Sequence, residues 1–132
     1  MKKSIIFTVL LLAITACTTP PAQTNGNTGT TTTVSVNEAD VDQILELDNF
    51  TITPAEFSAN AGTEIKILVR AKSEGHTFNI DAYDVHTKTL ASGDQLVVTV
   101  NIPAGDAGKS IEYYCDTSNH RVLGMTGTIK IK

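Results

Sequence analysis

A chain of 132 residues has room for one small domain and a tail, and not for two domains. The formal net charge is −4, or −6 once Lys2 and Lys3 at the extreme N-terminus are set aside. That acidic balance excludes a nucleic-acid reader, which needs a basic face. It leaves room for a basic protein partner, because complementary charge speeds encounter.

Residues 1–16 read as an export signal. Lys2 and Lys3 precede a mostly apolar run from Ile5 to Ile14, close to the ~7–15 residues of a signal core and short of the ~20 of a spanning helix. Ile14-Thr15-Ala16-Cys17 resembles a bacterial lipoprotein cleavage box. The resemblance implies that Cys17 is lipidated and becomes the new N-terminus. Cys17 is then a membrane tether, and Cys115 is the free thiol. Residues 17–42 are expected to be a lipid-anchored flexible linker. Up to about Val36 they are rich in Thr, Asn, Gly and Pro, with almost no large apolar residue. Such a segment buries too little surface to offset its ordering entropy.

The domain is expected over residues 43–132. Asn37 can cap a short helical turn, and a strand is expected to begin near Gln43. From Glu46 onward the pattern is all-β. Ile65, Ile67 and Val69 alternate, as do His76, Phe78 and Ile80, and again Leu96, Val98 and Val100. This is the period of half-buried strands. Pro54, Asn60-Ala61-Gly62, Ser73-Glu74-Gly75, Ala91-Ser92-Gly93-Asp94 and the Pro103–Gly108 segment break the runs. Ile111 to Tyr114 and Thr128 to Ile131 supply the last strands. Short strands at close spacing between Gly/Pro turns indicate a sandwich or barrel.

The chemistry concentrates after Tyr114. Cys115, His120 and Met125 follow one another with four residues in each gap. A thiol, an imidazole and a thioether are three of the donor types of a mononuclear copper site, in which thiolate and two imidazoles lie in a plane and a weak thioether lies on the axis. A second imidazole must come from His76 or His86. His76 follows Gly75 and opens a strand, whereas His86 lies mid-loop, so position favours His76.

Two segments together, Glu74-Gly75-His76-Thr77-Phe78-Asn79-Ile80 and Tyr114-Cys115-x4-His120-x4-Met125-x-Gly127, resemble the cupredoxins, the type 1 blue copper family. The four-and-four spacing is similar to rusticyanin-, sulfocyanin- and auracyanin-like members. The resemblance implies a Greek-key β-sandwich of about seven to eight strands. It also implies one copper ion cycling between Cu(I) and Cu(II), with His76, Cys115 and His120 as equatorial ligands and Met125 axial. Thr77 falls where many members carry Asn or Ser tying the two ligand segments together. Thr77 and Asn119 are therefore the expected supporting residues. Gly124 and Gly127 are expected to let the backbone turn tightly around Met125.

The resemblance further implies an electron carrier and not an enzyme. His120 is then the partly exposed electron port, and Val122, Leu123 and Gly124 form a collar for docking. The expected partners are redox proteins such as a c-type cytochrome, a quinol-oxidising complex, or a terminal oxidase or reductase. The expected location is the periplasm or cell surface, held to a membrane by lipid. The alternative is a copper chaperone or storage protein, but a Met-rich array is missing: one methionine follows Met1. A catalytic copper enzyme needs a second site with further histidines, and only His86 is left over.

Overall fold

The structure is a computed structural model, and it describes residues 36–132. The export signal, Cys17 and most of the linker lie outside the described residues. Nine strands form among those residues: β1 (Gln43–Asp48), β2 (Thr51–Thr53), β3 (Glu56–Ala59), β4 (Glu64–Ala71), β5 (Asn79–Ile80), β6 (Val85–His86), β7 (Gln95–Asn101), β8 (Ser110–Tyr114) and β9 (Thr126–Ile131). They make two sheets, one of order β2-β1-β4-β7 and one of order β3-β9-β8-β5-β6. Each sheet is mixed. β1 runs parallel to β4, and β3 runs parallel to β9, while the other neighbours are antiparallel.

The alternating runs explain the sandwich. Leu96, Val98 and Val100 of β7 point inward, and their neighbours are only half covered. In β4, Ile65, Ile67 and Val69 are buried as the period demands, and Leu68 on the opposite face is buried as well. The inward side chains of β4 and β7, Leu68 excepted, join Leu45, Leu47, Phe78, Tyr113, Ile129 and Ile131 in one core between the sheets. Burying each such aliphatic or aromatic side chain contributes roughly 1.5–3 kcal/mol, against which the ordering entropy of the chain must be set.

The first strand begins at Gln43, as the sequence indicates. The chain engages the sheet slightly earlier, however. Asn37 caps a 3₁₀ turn at Glu38–Asp40, its Oδ1 accepting the Ala39 N–H. Glu38 pairs with Arg70, and Asp42 accepts the Lys66 N–H at 2.7 Å.

Three connections converge at one end of the sandwich. The β8–β9 connection carries Cys115 to Met125. The segment after β4 carries Ser73 to His76. The third is the β1–β2 turn, Asn49-Phe50, in which Phe50 has a φ of 58°. That left-handed conformation is a genuine outlier for an aromatic residue and costs on the order of 1–3 kcal/mol.

Candidate metal centre

The β8–β9 ladder fixes the ligand loop. Its register pairs Tyr114 with Thr126, so Cys115 and Met125 stand opposite each other at the neck. The Cys115 N–H donates to the Met125 carbonyl at 3.1 Å. Inside the neck, the His120 N–H bonds the Thr117 carbonyl. The turn then ends in a Schellman arrangement. Gly124, at φ 95°, donates to the Arg121 carbonyl, and Met125 donates to the His120 carbonyl at 2.9 Å. Gly124 thus acts as expected, because its positive φ favours glycine. Gly127 does not turn the chain. It lies within β9 opposite Tyr113, and its missing side chain leaves room for the Tyr113 ring.

His76 arrives from the other side. It is bridged to Leu90, whose N–H donates to the His76 carbonyl at 2.7 Å. The expected alternation of His76, Phe78 and Ile80 is not seen, since every residue from 76 to 80 is buried. The ligand loop covers Thr77, and Asn79 is held between the Tyr114 carbonyl and His86. Both faces of the segment are therefore occupied.

The result is a compact donor cluster. One ligand atom from each of His76, Cys115 and His120 lies within 4.8 Å of the others. Cys115 Sγ is 3.9 Å from His76 Nδ1 and 3.6 Å from His120 Nδ1. Bonds of roughly 2.0–2.3 Å, as zinc makes to nitrogen and sulfur, put trigonal donors about 3.8 Å apart. The sulfur–nitrogen spacings therefore fit one ion in a trigonal N₂S set. His76, Cys115 and Met125 are fully buried, and His120 is half-buried. Burial holds the His76 imidazole below its usual pKa, and the charge of nearby His120 adds to the effect. Both favour the neutral, ligating form.

Thr77 ties the two segments together. Its backbone N–H donates to Cys115 Sγ at 3.3 Å. Its hydroxyl bonds the Asp116 carboxylate and accepts the Asp116 N–H at 3.0 Å. Asn119 is exposed, and its backbone carbonyl receives the Leu123 N–H. Val122 is 87% exposed and Leu123 is 58% exposed, with Gly124 exposed beside them. His86 lies apart from the cluster, exposed on β6, with Nδ1 3.3 Å from Asn79 Oδ1.

Three contributors are not apparent from spacing. Ser73 Oγ lies 2.8 Å from His76 Nε2. Asp48, the last residue of β1, comes beside Ser73 where the Lys72 N–H closes onto the Leu47 carbonyl. Its carboxyl is held below the usual range, first by the Asn49 N–H and then by the Ser73 hydroxyl. The ring of Phe50 meets the His120 ring in a T-shaped contact, with centroids 5.1 Å apart.

The sequence profile of the copper binding proteins of the plastocyanin/azurin family matches residues 30–132. No curated protein sequence matches the chain. Among solved structures, dithionite-reduced auracyanin from the photosynthetic bacterium Roseiflexus castenholzii is similar, with a TM-score of 0.58 at 17% identity, covering 68% of this chain and 95% of that one. Auracyanin B gives a TM-score of 0.58 at 19% identity, covering 81% and 99%. The blue copper oxidase from Nitrosomonas europaea gives 0.58 at 13% identity, covering 68% of this chain but 38% of its own. At these identities the likeness is one of fold.

Proposed function

Because the chain belongs to the plastocyanin/azurin family of copper binding proteins, we propose that it is a type 1 copper electron-transfer protein. In this reading His76, Cys115 and His120 are the equatorial ligands and Met125 is the axial one. The observation that carries it is the convergence of Cys115 Sγ with the Nδ1 atoms of His76 and His120. Bound copper supplies a one-electron couple between Cu(II) and Cu(I). The chain supplies a donor set that suits both states, with soft sulfur for Cu(I) and imidazole for either. It also holds that set rigid. The neck bond, the Schellman turn and the Thr77 N–H all brace Cys115 and its loop. A rigid set of this kind supports a carrier over a chaperone, whose ligands must open to release the ion.

Half-exposed His120, with Val122, Leu123 and Gly124 around it, serves as the electron port and docking collar. Transient redox contacts are small, below ~1,200 Å². The partner is then a redox protein such as a c-type cytochrome, a quinol-oxidising complex or a terminal oxidase or reductase. Export, and a lipid on Cys17, would hold the domain near such partners outside the cytoplasm. The chain acts as a carrier and not an enzyme in this proposal. Its match to the blue copper oxidase spans a minor part of that chain, and His86 stands alone as a spare imidazole.

Titration of the protein with Cu(II), followed by visible absorption and EPR, tests the centre. The expected result is one equivalent bound, an intense thiolate-to-copper band and a narrow copper hyperfine splitting. Cys115→Ser should abolish the band, His76→Ala should destroy the site, and His86→Ala should leave it intact. If His86→Ala removed the site and His76→Ala did not, the ligand assignment would be overturned. Reversible voltammetry then separates a carrier from a storage protein.

A further inference from the structure

We propose that the end of β1 and the β1–β2 turn form a third positioning element of the copper centre: Asp48, acting through Ser73, decides which nitrogen of His76 carries the proton, and the ring of Phe50 holds the plane of His120. The inference rests on the ligand reading above and goes beyond it, since Asp48, Ser73 and Phe50 lie outside both the loop around Cys115 and Thr77.

Ser73 has one hydroxyl proton; its oxygen lies 2.8 Å from His76 Nε2, and the Asp48 carboxylate is brought beside it where the Lys72 N–H closes onto the Leu47 carbonyl. An ionised carboxylate can only accept. The Ser73 proton therefore points at Asp48, and the Ser73 oxygen must accept from His76 Nε2–H. A neutral imidazole has one N–H, so His76 Nδ1 is left with its lone pair, on the side facing Cys115 Sγ. Without Asp48 the hydroxyl could donate to Nε2 instead, and the proton would then sit on Nδ1, where it blocks ligation. A ligating histidine whose other N–H is held by a carboxylate-backed acceptor also becomes a more basic donor. More basic donation favours Cu(II) over Cu(I).

A side chain at φ 58° is tolerated best as glycine or asparagine, yet position 50 holds a phenylalanine that is 45% exposed. Core burial therefore does not account for it. Its ring contact is with His120, nearly perpendicular at 86°. The two limbs come from one turn because the pairing of β1 with β4 sets their place. Leu47 is opposite Ala71, and the Lys72 N–H closes onto the Leu47 carbonyl at 2.7 Å. Asp48 is then carried alongside Ser73, and Phe50, past the turn, faces the ligand loop.

The test uses Ser73→Ala, Ser73→Thr, Asp48→Asn and Phe50→Gly, with two readouts for each. The first is the imidazole ¹⁵N spectrum of the metal-free protein at pH 8. Wild type should show His76 as the Nε2–H tautomer. Ser73→Ala and Asp48→Asn should bring in the Nδ1–H form, and Ser73→Thr should restore wild-type behaviour. The second is the midpoint potential of the copper-loaded protein. Ser73→Ala and Asp48→Asn should shift the one-electron equilibrium about tenfold toward Cu(I), a rise of about 59 mV, and Ser73→Thr should not. Phe50→Gly relieves the turn, so its unfolding midpoint should hold or rise, while the His120 ring resonances broaden and the potential moves.

An unchanged His76 tautomer and potential in Ser73→Ala overturn the first limb. Unchanged His120 resonances and potential in Phe50→Gly overturn the second. If the wild-type protein took up no Cu(II), the reading of the centre would fail, and the metal-free spectra would still decide whether the turn positions the two rings.

Discussion

Thr77 has one hydroxyl proton, and two acceptors compete for it. Cys115 Sγ lies 3.7 Å away, while the Asp116 carboxylate is in short hydrogen-bond contact. The proton goes to the carboxylate, because charge-assisted bonds are shorter and stronger than bonds to sulfur. The sulfur is then supported by the Thr77 backbone amide, and the hydroxyl supports the loop. Thr77→Val separates the two roles. It deprives the Asp116 N–H and the Asn79 amide of their shared acceptor, a loss of about 1–3 kcal/mol, and leaves the amide-to-sulfur bond in place. A urea titration should show the loss of stability while the visible copper band persists. Disappearance of the band with stability unchanged would assign the hydroxyl, not the amide, to the sulfur. The donors themselves are legible in the sequence, since three share one loop at fixed spacing and the fourth follows a glycine, although His76 sits in an isolated bridge and not at the start of β5. Ser73, Asp48 and Phe50 are not. Their roles depend on the pairing of β1 with β4, which no local pattern encodes, and serine, aspartate and phenylalanine next to a turn have ordinary alternatives.

At the scale of elements, the β8–β9 ladder does most to hold the centre, and Gly127 is its tightest point. A Cβ at Gly127 would come within 2.2 Å of the Tyr113 ring. That ring cannot easily move. It is fully buried, lies between Phe57 and Phe78, and donates its hydroxyl to the Pro54 carbonyl at 2.6 Å. Gly127→Ala should therefore destabilise the protein by about 1–3 kcal/mol through overpacking. Adding Tyr113→Leu should return part of that loss, a coupling that a double-mutant cycle measures. Additive losses would mean that the ring is not what excludes a side chain at 127. The strands show where periodicity can be trusted. β7 has one wet face, and its alternation is read correctly from Leu96, Val98 and Val100. Residues 76–80 lie under the ligand loop on their outer face, so Thr77 and Asn79 are buried although the period assigns them to solvent. Gly127 misleads for a related reason. A glycine beside a ligand suggests a turn, and the ring that needs the space comes from the partner strand.

For the whole molecule, the all-β sandwich follows from the spacing of turns and apolar alternation, and its copper-end geometry follows from which strands pair. Its response to alkali follows in part from buried Tyr113 and half-buried Tyr83. Tyr113 is pushed up to about 12, by burial first and then by the charge of Glu56. Tyr83 is also pushed up to about 12, by burial first and then by its hydrogen bond to Asp106. In the unfolded chain each phenol loses its proton near pH ~10. Between roughly pH 10 and 12 the unfolded state therefore holds fewer protons than the folded one, and stability falls as pH rises. Below that window the contribution is fully present. Urea midpoints from pH 9 to 12 should trace this fall. Tyr113→Phe lowers the midpoint at every pH by losing the bond to Pro54, on the order of 1 kcal/mol, yet it removes one of the titrating phenols. Its midpoint should therefore decline less steeply above pH 10 than that of the wild type. Parallel curves would show that burial of Tyr113 does not resist ionisation, and that alkaline unfolding has its origin elsewhere in the sandwich.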